Sequence, residues 1–235
     1  MALDLHAHLL WNIDDGPASE SESIEMIRRL MALGFTGAAP SPHGDSDPTL
    51  ARARLDELRA ALQRADIDFE LFDNTENALT PELVADLCAG RGRMLAKTRF
   101  FLVELPFHGP LPALGNILDR LSQKGLNAIV AHPERSAHFA ASPFAAASVV
   151  HRFGGLLQLD LGSLVGVYGT TAERTARALL KGGHYDLAAS DLHRPSDCRW
   201  LAHALDELDA LVGPATARRL IDFTPRRIVR GDPPV

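Results

Sequence analysis

Only two cysteines, Cys88 and Cys198, occur among the 235 residues, and this is too few for a disulfide framework. The amino-terminal segment has neither the basic nor the apolar region of a signal peptide. No apolar run reaches the roughly 18 residues that a membrane helix needs. The formal net charge of −6 gives no indication of a nucleic-acid or membrane-surface partner. We therefore expect a cytoplasmic protein with no membrane insertion and no nucleic-acid partner.

Motifs of several enzyme classes are also missing. The sequence contains no Gly-x-Ser-x-Gly, Walker or kinase signature. A cysteine-dependent phosphatase needs an arginine six positions after its nucleophile, but Met94 follows Cys88 and Ala204 follows Cys198 at that spacing. What the chain does have is ten histidines, so their positions, together with those of the carboxylates, become the main guide to chemistry.

Strand and helix patterns alternate seven times along the chain. The predicted strands are residues 2–6, 35–40, 68–72, 100–105, 127–131, 156–161 and 186–190, with a loop at 73–77 after the third. Pro110 and Pro112 are expected to introduce a helix over 113–124, and two helices, 200–211 and 215–222, follow the last strand. No linker or repeat divides residues 1–235, which predicts a single domain.

This alternation predicts an α/β fold with parallel strands inside and helices outside. No Gly-rich dinucleotide fingerprint follows the first strand, so a (β/α)7 barrel is favoured over an open doubly wound sheet. In such barrels the carboxyl ends of the strands build the active site.

The first predicted strand carries a His-x-His pair, His6 and His8. Residues two apart in a strand point to the same side, so both imidazoles would face one point in space. Two converging imidazoles suit a divalent metal ion. A surface pair at a strand end explains this motif alone equally well.

Further polar residues fall at or just after the ends of the other predicted strands, and only the sixth strand has none. With the histidine pair they form a set of nine: His6, His8, Asp15, His43, Glu76, Glu104, His132, Asp191 and His193. Singly, each could be a turn residue, a helix cap, a core histidine or an ion-pair partner. Together they predict a metal centre, and nine ligands exceed the roughly four to six that one ion takes. Two or three ions are therefore expected, with Glu76 as a candidate bridge. The donor set suits manganese, iron and zinc alike.

A multinuclear metal centre suits hydrolysis of a phosphate ester. Arg135 lies three residues after His132, where its guanidinium could bind a phosphoryl group through two hydrogen bonds. An ion pair on a loop is an equally good explanation from spacing alone. Arg194 and Arg199 are weaker candidates of the same kind.

These residues resemble the polymerase and histidinol phosphatase (PHP) superfamily, and most closely its bacterial tyrosine-protein phosphatases of capsule and exopolysaccharide synthesis. The motifs that carry the resemblance are Asp4-Leu-His-Ala-His8, Asp14-Asp15-Gly16-Pro17, Pro42-His43, Glu76, Glu104, His132-Pro-Glu-Arg135 and Ser190-Asp-Leu-His193. The resemblance implies a distorted (β/α)7 barrel of the PHP type and a trinuclear centre, usually of manganese, that the nine residues hold.

The resemblance also implies a function. It implies that Arg135 binds phosphate, with Asp191 and His43 as further catalytic residues, and that a metal-activated hydroxide hydrolyses the ester without a phosphoenzyme. The implied substrate is phosphotyrosine on the tail of a tyrosine autokinase that controls capsule or exopolysaccharide synthesis. The chain departs from the family at Gly44 and Asp45, where a second basic residue or histidine often follows the residue matched to His43.

Three other functions remain as alternatives. The first is a small-molecule phosphoesterase of the same superfamily, of the histidinol-phosphate type. The second is a non-catalytic partner of a polysaccharide-assembly kinase, which the full ligand set disfavours. The third is a metal-dependent amidohydrolase, which Arg135 disfavours.

Overall fold

Eight parallel strands in two sheets form the centre of the molecule in the computed structural model, which describes residues 1–109 and 113–233. The first sheet contains β1 (Ala2–Ala7), β2 (Phe35–Pro40) and β3 (Glu70–Leu71) in that order. The second contains β4 (Glu76–Ala78), β5 (Phe100–Glu104), β6 (Asn127–Ala131), β7 (Leu156–Asp160) and β8 (Leu187–Ala189), also in chain order.

Two isolated parallel bridges join the sheets at the carboxyl ends of their strands. Ala7 pairs with Leu192, beyond β8, and His43, beyond β2, pairs with Glu76 of β4. Backbone hydrogen bonds from His8 N to Leu192 O (2.8 Å) and from Gly44 N to Glu76 O (2.7 Å) extend these contacts. The ring is therefore closed into a distorted barrel, which confirms the predicted fold class.

The third unit of the barrel differs from the prediction. The strand expected at 68–72 is reduced to β3, which pairs with β2, and the expected loop at 73–77 leads into β4, which pairs with β5. The described part of the chain thus places eight strands around seven ring positions, with the third position split. The segment Glu76-Asn77-Ala78 has no aromatic or β-branched residue, so composition alone does not predict a strand there.

Nine α-helices lie among the described residues: α1 (Glu20–Ala32), α2 (Pro48–Arg64), α3 (Pro81–Cys88), α4 (Leu114–Ser122), α5 (Ala137–Ala141), α6 (Pro143–Arg152), α7 (Thr170–Lys181), α8 (Cys198–Arg218) and α9 (Thr224–Val229). Side chains cap two of these helices at their starts: Ser19 accepts from Glu22 N before α1, and Thr80 accepts from Leu83 N before α3. The two helices predicted at 200–211 and 215–222 are confirmed as the two parts of α8 on either side of the non-helical Gly213 (φ 76°), and the second continues into a π-helical turn at Arg219–Phe223. The predicted roles of Pro110 and Pro112 lie outside the described residues. None of the helices described is both long and apolar enough to span a membrane.

Hydrophobic packing fixes which end of the barrel carries polar groups. A large cluster joins the outer faces of the strands to the helices. A smaller cluster fills the barrel toward the amino ends of the strands, with Leu3, Phe100, Leu156 and Leu187 among its members, and Ile228 of α9 packs against it. The apolar filling at this end leaves the carboxyl ends of the strands for polar side chains.

Candidate metal centre

The carboxyl ends of the strands bring the nine predicted residues into three adjoining groups, in each of which one ligand atom per residue lies within 4.8 Å of the others. The groups are His8, Asp15, His43 and His193; His6, His8, Glu76 and Asp191; and Glu76, Glu104 and His132. His8 and Glu76 each belong to two groups. The arrangement can therefore hold more than one ion with shared ligands.

Glu76 is the carboxylate at the centre of this cluster. Its Oε2 lies 3.4 Å from His6 Nε2, 3.5 Å from His8 Nε2 and 3.1 Å from His43 Nδ1. Its Oε1 lies 2.8 Å from His132 Nε2. With its two oxygens facing different imidazoles, Glu76 has the position of a carboxylate that bridges two ions.

Three buried atoms in the cluster have no hydrogen-bond partner: His6 Nε2, His8 Nε2 and Asp191 Oδ1. They converge, since Asp191 Oδ1 lies 3.1 Å from His6 Nε2 and 3.4 Å from His8 Nε2. A buried polar atom without a partner costs roughly 1–3 kcal/mol. A divalent cation would satisfy all three at once, so this donor set fits a metal ion.

Partners behind the imidazoles orient them. Asp14 Oδ2 lies 2.8 Å from His8 Nδ1, the Gln158 amide lies 3.0 Å from His6 Nδ1, and the Asp191 carbonyl lies 2.8 Å from His193 Nδ1. Such contacts turn the opposite ring nitrogen toward a metal and typically change metal affinity or activity by about 10–100-fold when lost.

Sequence reasoning gave no role to Asp14 and nothing to the sixth predicted strand. That strand, β7, supplies Gln158 and also Asp160, which faces Arg135. The available signal was the alternation in Leu156-Leu-Gln-Leu-Asp160, where Gln158 and Asp160 are polar residues between leucines of an otherwise apolar strand.

Two of the predicted ligands have strained backbones. His132 (φ 31°) and Asp191 (φ 52°) occupy the left-handed region immediately beyond β6 and near the end of β8. Such conformations of non-glycine residues cost of the order of 1–3 kcal/mol and cluster at functional sites. The Asp191 N–H donates to the His6 carbonyl at 2.8 Å, which holds this strained turn against β1.

The electrostatics keep the two central carboxylates, Asp191 and Glu76, ionised. Burial acts to raise the pKa of Asp191, but the imidazoles of His6 and His8 outweigh it and hold that pKa well below its usual value. The pKa of Glu76 is lowered in the same way, since His6 and His132 outweigh its burial. Burial disfavours the His132 cation, yet the hydrogen bond to Glu76 raises the pKa of His132 to about 9. Without metal, a proton on His132 Nε2 would therefore stabilise the Glu76 carboxylate, and a divalent cation bound there would displace this proton.

Arg135 lies at the edge of the cluster with its plane fixed. Its Nη1 lies 2.8 Å from Asp191 Oδ2 and 3.6 Å from Asp160 Oδ2. Its Cζ lies 4.7 Å from the centre of the Phe107 ring and 4.2 Å from that of Tyr168. The guanidinium is therefore held between two rings and two carboxylates, with 20% of the side chain exposed.

A groove passes over the cluster. Its central cavity, of about 440 Å³, is lined by seven of the nine predicted ligands and by Arg135. A cavity of about 600 Å³ shares His43, Glu76 and Glu104 with it, and one of about 500 Å³ shares Phe107, Arg135 and Tyr168. Arg194 lines the central cavity, whereas the exposed Arg199 is not among the residues that line it. The three adjoining cavities together offer more space than a single phosphate group fills.

Known proteins resemble this chain over most of its length. The family model described as capsular polysaccharide synthesis, CpsB/CapC, matches residues 2–230. The tyrosine-protein phosphatase YwqE of Bacillus subtilis (strain 168) is 29% identical over 197 residues, which cover 81% of this chain and 77% of YwqE. The tyrosine-protein phosphatase CpsB of Streptococcus pneumoniae is 21% identical over 97% of this chain and 98% of its own length.

Solved structures agree with this similarity. The crystal structures of YwqE from Bacillus subtilis and CpsB from Streptococcus pneumoniae, described as unique metal-dependent tyrosine phosphatases, include a match with a TM-score of 0.88 and 26% identity that covers 99% of this chain and 98% of the other. A histidinol phosphate phosphatase from Lactococcus lactis, solved with zinc, histidinol and phosphate, shares the fold with a TM-score of 0.57 and 11% identity, over 88% of this chain and 92% of the other.

Proposed function

The chain belongs to the capsular polysaccharide synthesis CpsB/CapC family, and we propose that it is a metal-dependent protein-tyrosine phosphatase. The observation that carries this proposal is the meeting of three ligand groups on Glu76 with Arg135 fixed beside them. The cluster draws on residues from His6 to His193, so we also propose that residues 1–235 act as one phosphatase domain.

The proposed cofactor is a cluster of two or three divalent ions held by the nine residues of the three groups. Manganese is proposed first because four of the nine ligands are carboxylates, and iron and zinc also suit such a mixed set. When bound, these ions would supply Lewis acidity and a water of lowered pKa.

The protein's own side chains would bind and orient the phosphoryl group. Arg135 would donate two parallel hydrogen bonds to phosphoryl oxygens, because its fork is already oriented by the flanking rings. Asp191 holds that fork at 2.8 Å, and His43 lies at the cavity rim with 37% of its side chain exposed. Catalytic roles are proposed for these three residues.

The proposed substrate is phosphotyrosine on a protein, specifically on the tail of a tyrosine autokinase that controls capsule or exopolysaccharide synthesis. The groove on both sides of the central cavity supports a polypeptide substrate, since a small phosphate ester would occupy only the centre. A cytoplasmic location is proposed because ATP-dependent kinases make phosphotyrosine there.

The test is hydrolysis of a phosphotyrosine peptide by protein loaded separately with manganese, iron and zinc. We expect kcat/KM on this peptide to exceed that on histidinol phosphate and sugar phosphates, and chelation to abolish turnover. His203→Ala, a change on the exposed face of α8, is the matched control and should leave activity unchanged. No hydrolysis with any of the three metals would refute the proposal, and a preference for histidinol phosphate would favour a small-molecule phosphoesterase instead.

A further inference from the structure

The cavity of about 600 Å³ on one side of the metal centre has no role in the function proposed above. It opens onto the centre, because His43, Glu76 and Glu104 line both this cavity and the central one. Two arginines of the loop after α3, Arg91 and Arg93, also line this cavity. A substrate residue next to the phosphotyrosine would therefore enter a space that contains guanidinium groups.

The two arginines differ in what they contact. Arg91 is paired with Asp86 through hydrogen bonds of 3.1 and 2.7 Å. Arg93 donates to the Gly44 carbonyl at 2.5 Å, and no carboxylate of residues 1–109 or 113–233 lies within 4.0 Å of its guanidinium nitrogens. Partial burial lowers the pKa of Arg93 without a counter-charge. A half-buried guanidinium with several free N–H donors is suited to bind an anion.

Gly44 explains why Arg93 can lie beside the metal centre. The Gly44 N–H donates to Glu76 O at 2.7 Å, and a Cβ at this position would lie 3.2 Å from that oxygen and 3.3 Å from Asn77 Cα. The loop after His43 therefore packs closely against β4, and the Gly44 carbonyl accepts the hydrogen bond from Arg93. The positive group that the sequence lacks directly after His43 is thus supplied from a different loop.

Other charges around the cavity do not neutralise Arg93. Asp86 is engaged by Arg91, and Asp45 is exposed at the rim. Glu76 and Glu104 belong to the proposed ligand set, whose charge bound cations would offset. Of the two arginines that line this cavity, Arg93 is therefore the one without a carboxylate partner among the described residues, and it can pair with an anionic ligand.

We propose that Arg93 forms a second anion-binding subsite, which takes a carboxylate or a phosphate carried by a residue that flanks the phosphotyrosine. This inference rests on the proposed phosphatase function and adds a preference among its substrates. An acidic side chain and a second phosphorylated residue present the same oxyanion to the guanidinium, so the experiment must separate them.

The test compares three peptides that differ only at flanking positions, which carry glutamine, glutamate or a non-hydrolysable phosphotyrosine analogue. With wild-type protein we expect kcat/KM for the glutamate or the analogue peptide to exceed that for the glutamine peptide by about fivefold, since a partly exposed ion pair contributes up to about that factor. The gain should appear in KM and weaken at high salt, because the contact is made in the ground state as well. The peptide with the larger increase in kcat/KM shows whether the subsite prefers an acidic side chain or a second phosphorylated residue.

The Arg93→Gln variant should treat all three peptides alike and keep wild-type kcat/KM on the glutamine peptide, while Arg93→Lys should retain part of the preference. Arg99→Gln is the matched control, because Arg99 is exposed and lines none of the cavities described above. An equal loss on neutral and charged peptides would show that Arg93 only supports the Gly44 loop, and this would overturn the proposal. Loss of the preference for charged peptides in Arg99→Gln would also overturn it, because Arg99 lies outside the cavity.

Failure of the phosphatase function itself would be visible separately, as no turnover of the glutamine peptide by wild-type protein. The subsite is then tested by the Kd of peptides in which a phosphonate replaces the hydrolysable phosphate. We expect Arg93→Gln to remove the roughly fivefold difference in Kd between charged and neutral peptides. Equal Kd values in the wild type would refute the subsite.

Discussion

Replacement of Arg135 by lysine tests the proposed phosphoryl-binding group most directly. The guanidinium lies 2.8 Å from Asp191 and is held between the rings of Phe107 and Tyr168, so its plane and fork are fixed before substrate arrives. Lysine keeps the positive charge but has neither the fork nor the plane. The variant therefore separates oriented hydrogen bonding from charge alone.

The expected size of the effect follows from these contacts. Loss of one preorganised donor to a developing oxyanion costs about 2.7–4 kcal/mol, or roughly 10²–10³ in kcat. Stability should change less, because a positive charge beside the buried and ionised Asp191 is retained. Arg135→Ala removes that charge, and leaving a buried carboxylate without its cation costs about 3–5 kcal/mol. The lysine variant should fold with little activity, whereas the alanine variant should lose stability as well.

The assay is kcat and KM on a phosphotyrosine peptide, with bound metal determined by elemental analysis and folding by thermal unfolding. Arg194→Lys is the matched control, since Arg194 lines the same cavity but is exposed. An Arg135→Lys enzyme that holds its full metal complement and keeps kcat/KM within about threefold of the wild type would contradict the stated energy of the oriented donor.

Three further outcomes are expected. His132→Ala should lower kcat at least about a hundredfold while the chain stays folded, because loss of even the outer partners of metal ligands costs about 10–100-fold; an active variant would mean that the centre is misassigned. Gly37→Ala should destabilise the protein by about 1–3 kcal/mol in urea unfolding, because the added Cβ would lie 2.8 Å from Glu70 Cβ; a change below about 0.5 kcal/mol would contradict the close packing of β2 on β3. The hydrogen bond that His151 donates to the Asp186 carboxylate raises the pKa of His151 above 6.5, so the pair stabilises the fold at pH values below 6.5 and this contribution is lost as pH rises through the folded-state pKa. The difference in unfolding free energy between the wild type and His151→Gln should be below about 1 kcal/mol and should vanish at alkaline pH, and a difference independent of pH would exclude this pair as its source.

Most of the elements could be predicted because their signals are local. The caps Ser19, Asp47 and Thr80 mark helix starts, and apolar runs such as Phe35–Pro40 and Asn127–Ala131 mark strands that the structure places at the same residues. The split third position was missed because β4 is a strand only through its pairing with β5 and with the loop after β2. Pairing of this kind depends on ring closure, which short-range periodicity does not encode.

The partners of the site residues were harder to predict than the residues themselves. Histidines and acids at strand ends can be read one strand at a time, and the fold brings those nine positions together, while their role as ligands stays a prediction. Four residues orient the side chains of the site: Asp14, Gln158, Phe107 and Tyr168. Nothing near them in the chain indicates which imidazole or guanidinium they contact.

The sequence by itself determined the types of ligand and the alternation of strand and helix, because metal chemistry depends on residue type and periodicity depends on neighbours within a few positions. Only the tertiary structure decided that Glu76 lies among four imidazoles, that Arg135 lies between two rings, and that Arg93 contacts the loop after His43. These contacts join residues far apart in the chain, and their distances are set by how the barrel closes and how its loops pack on the strand ends.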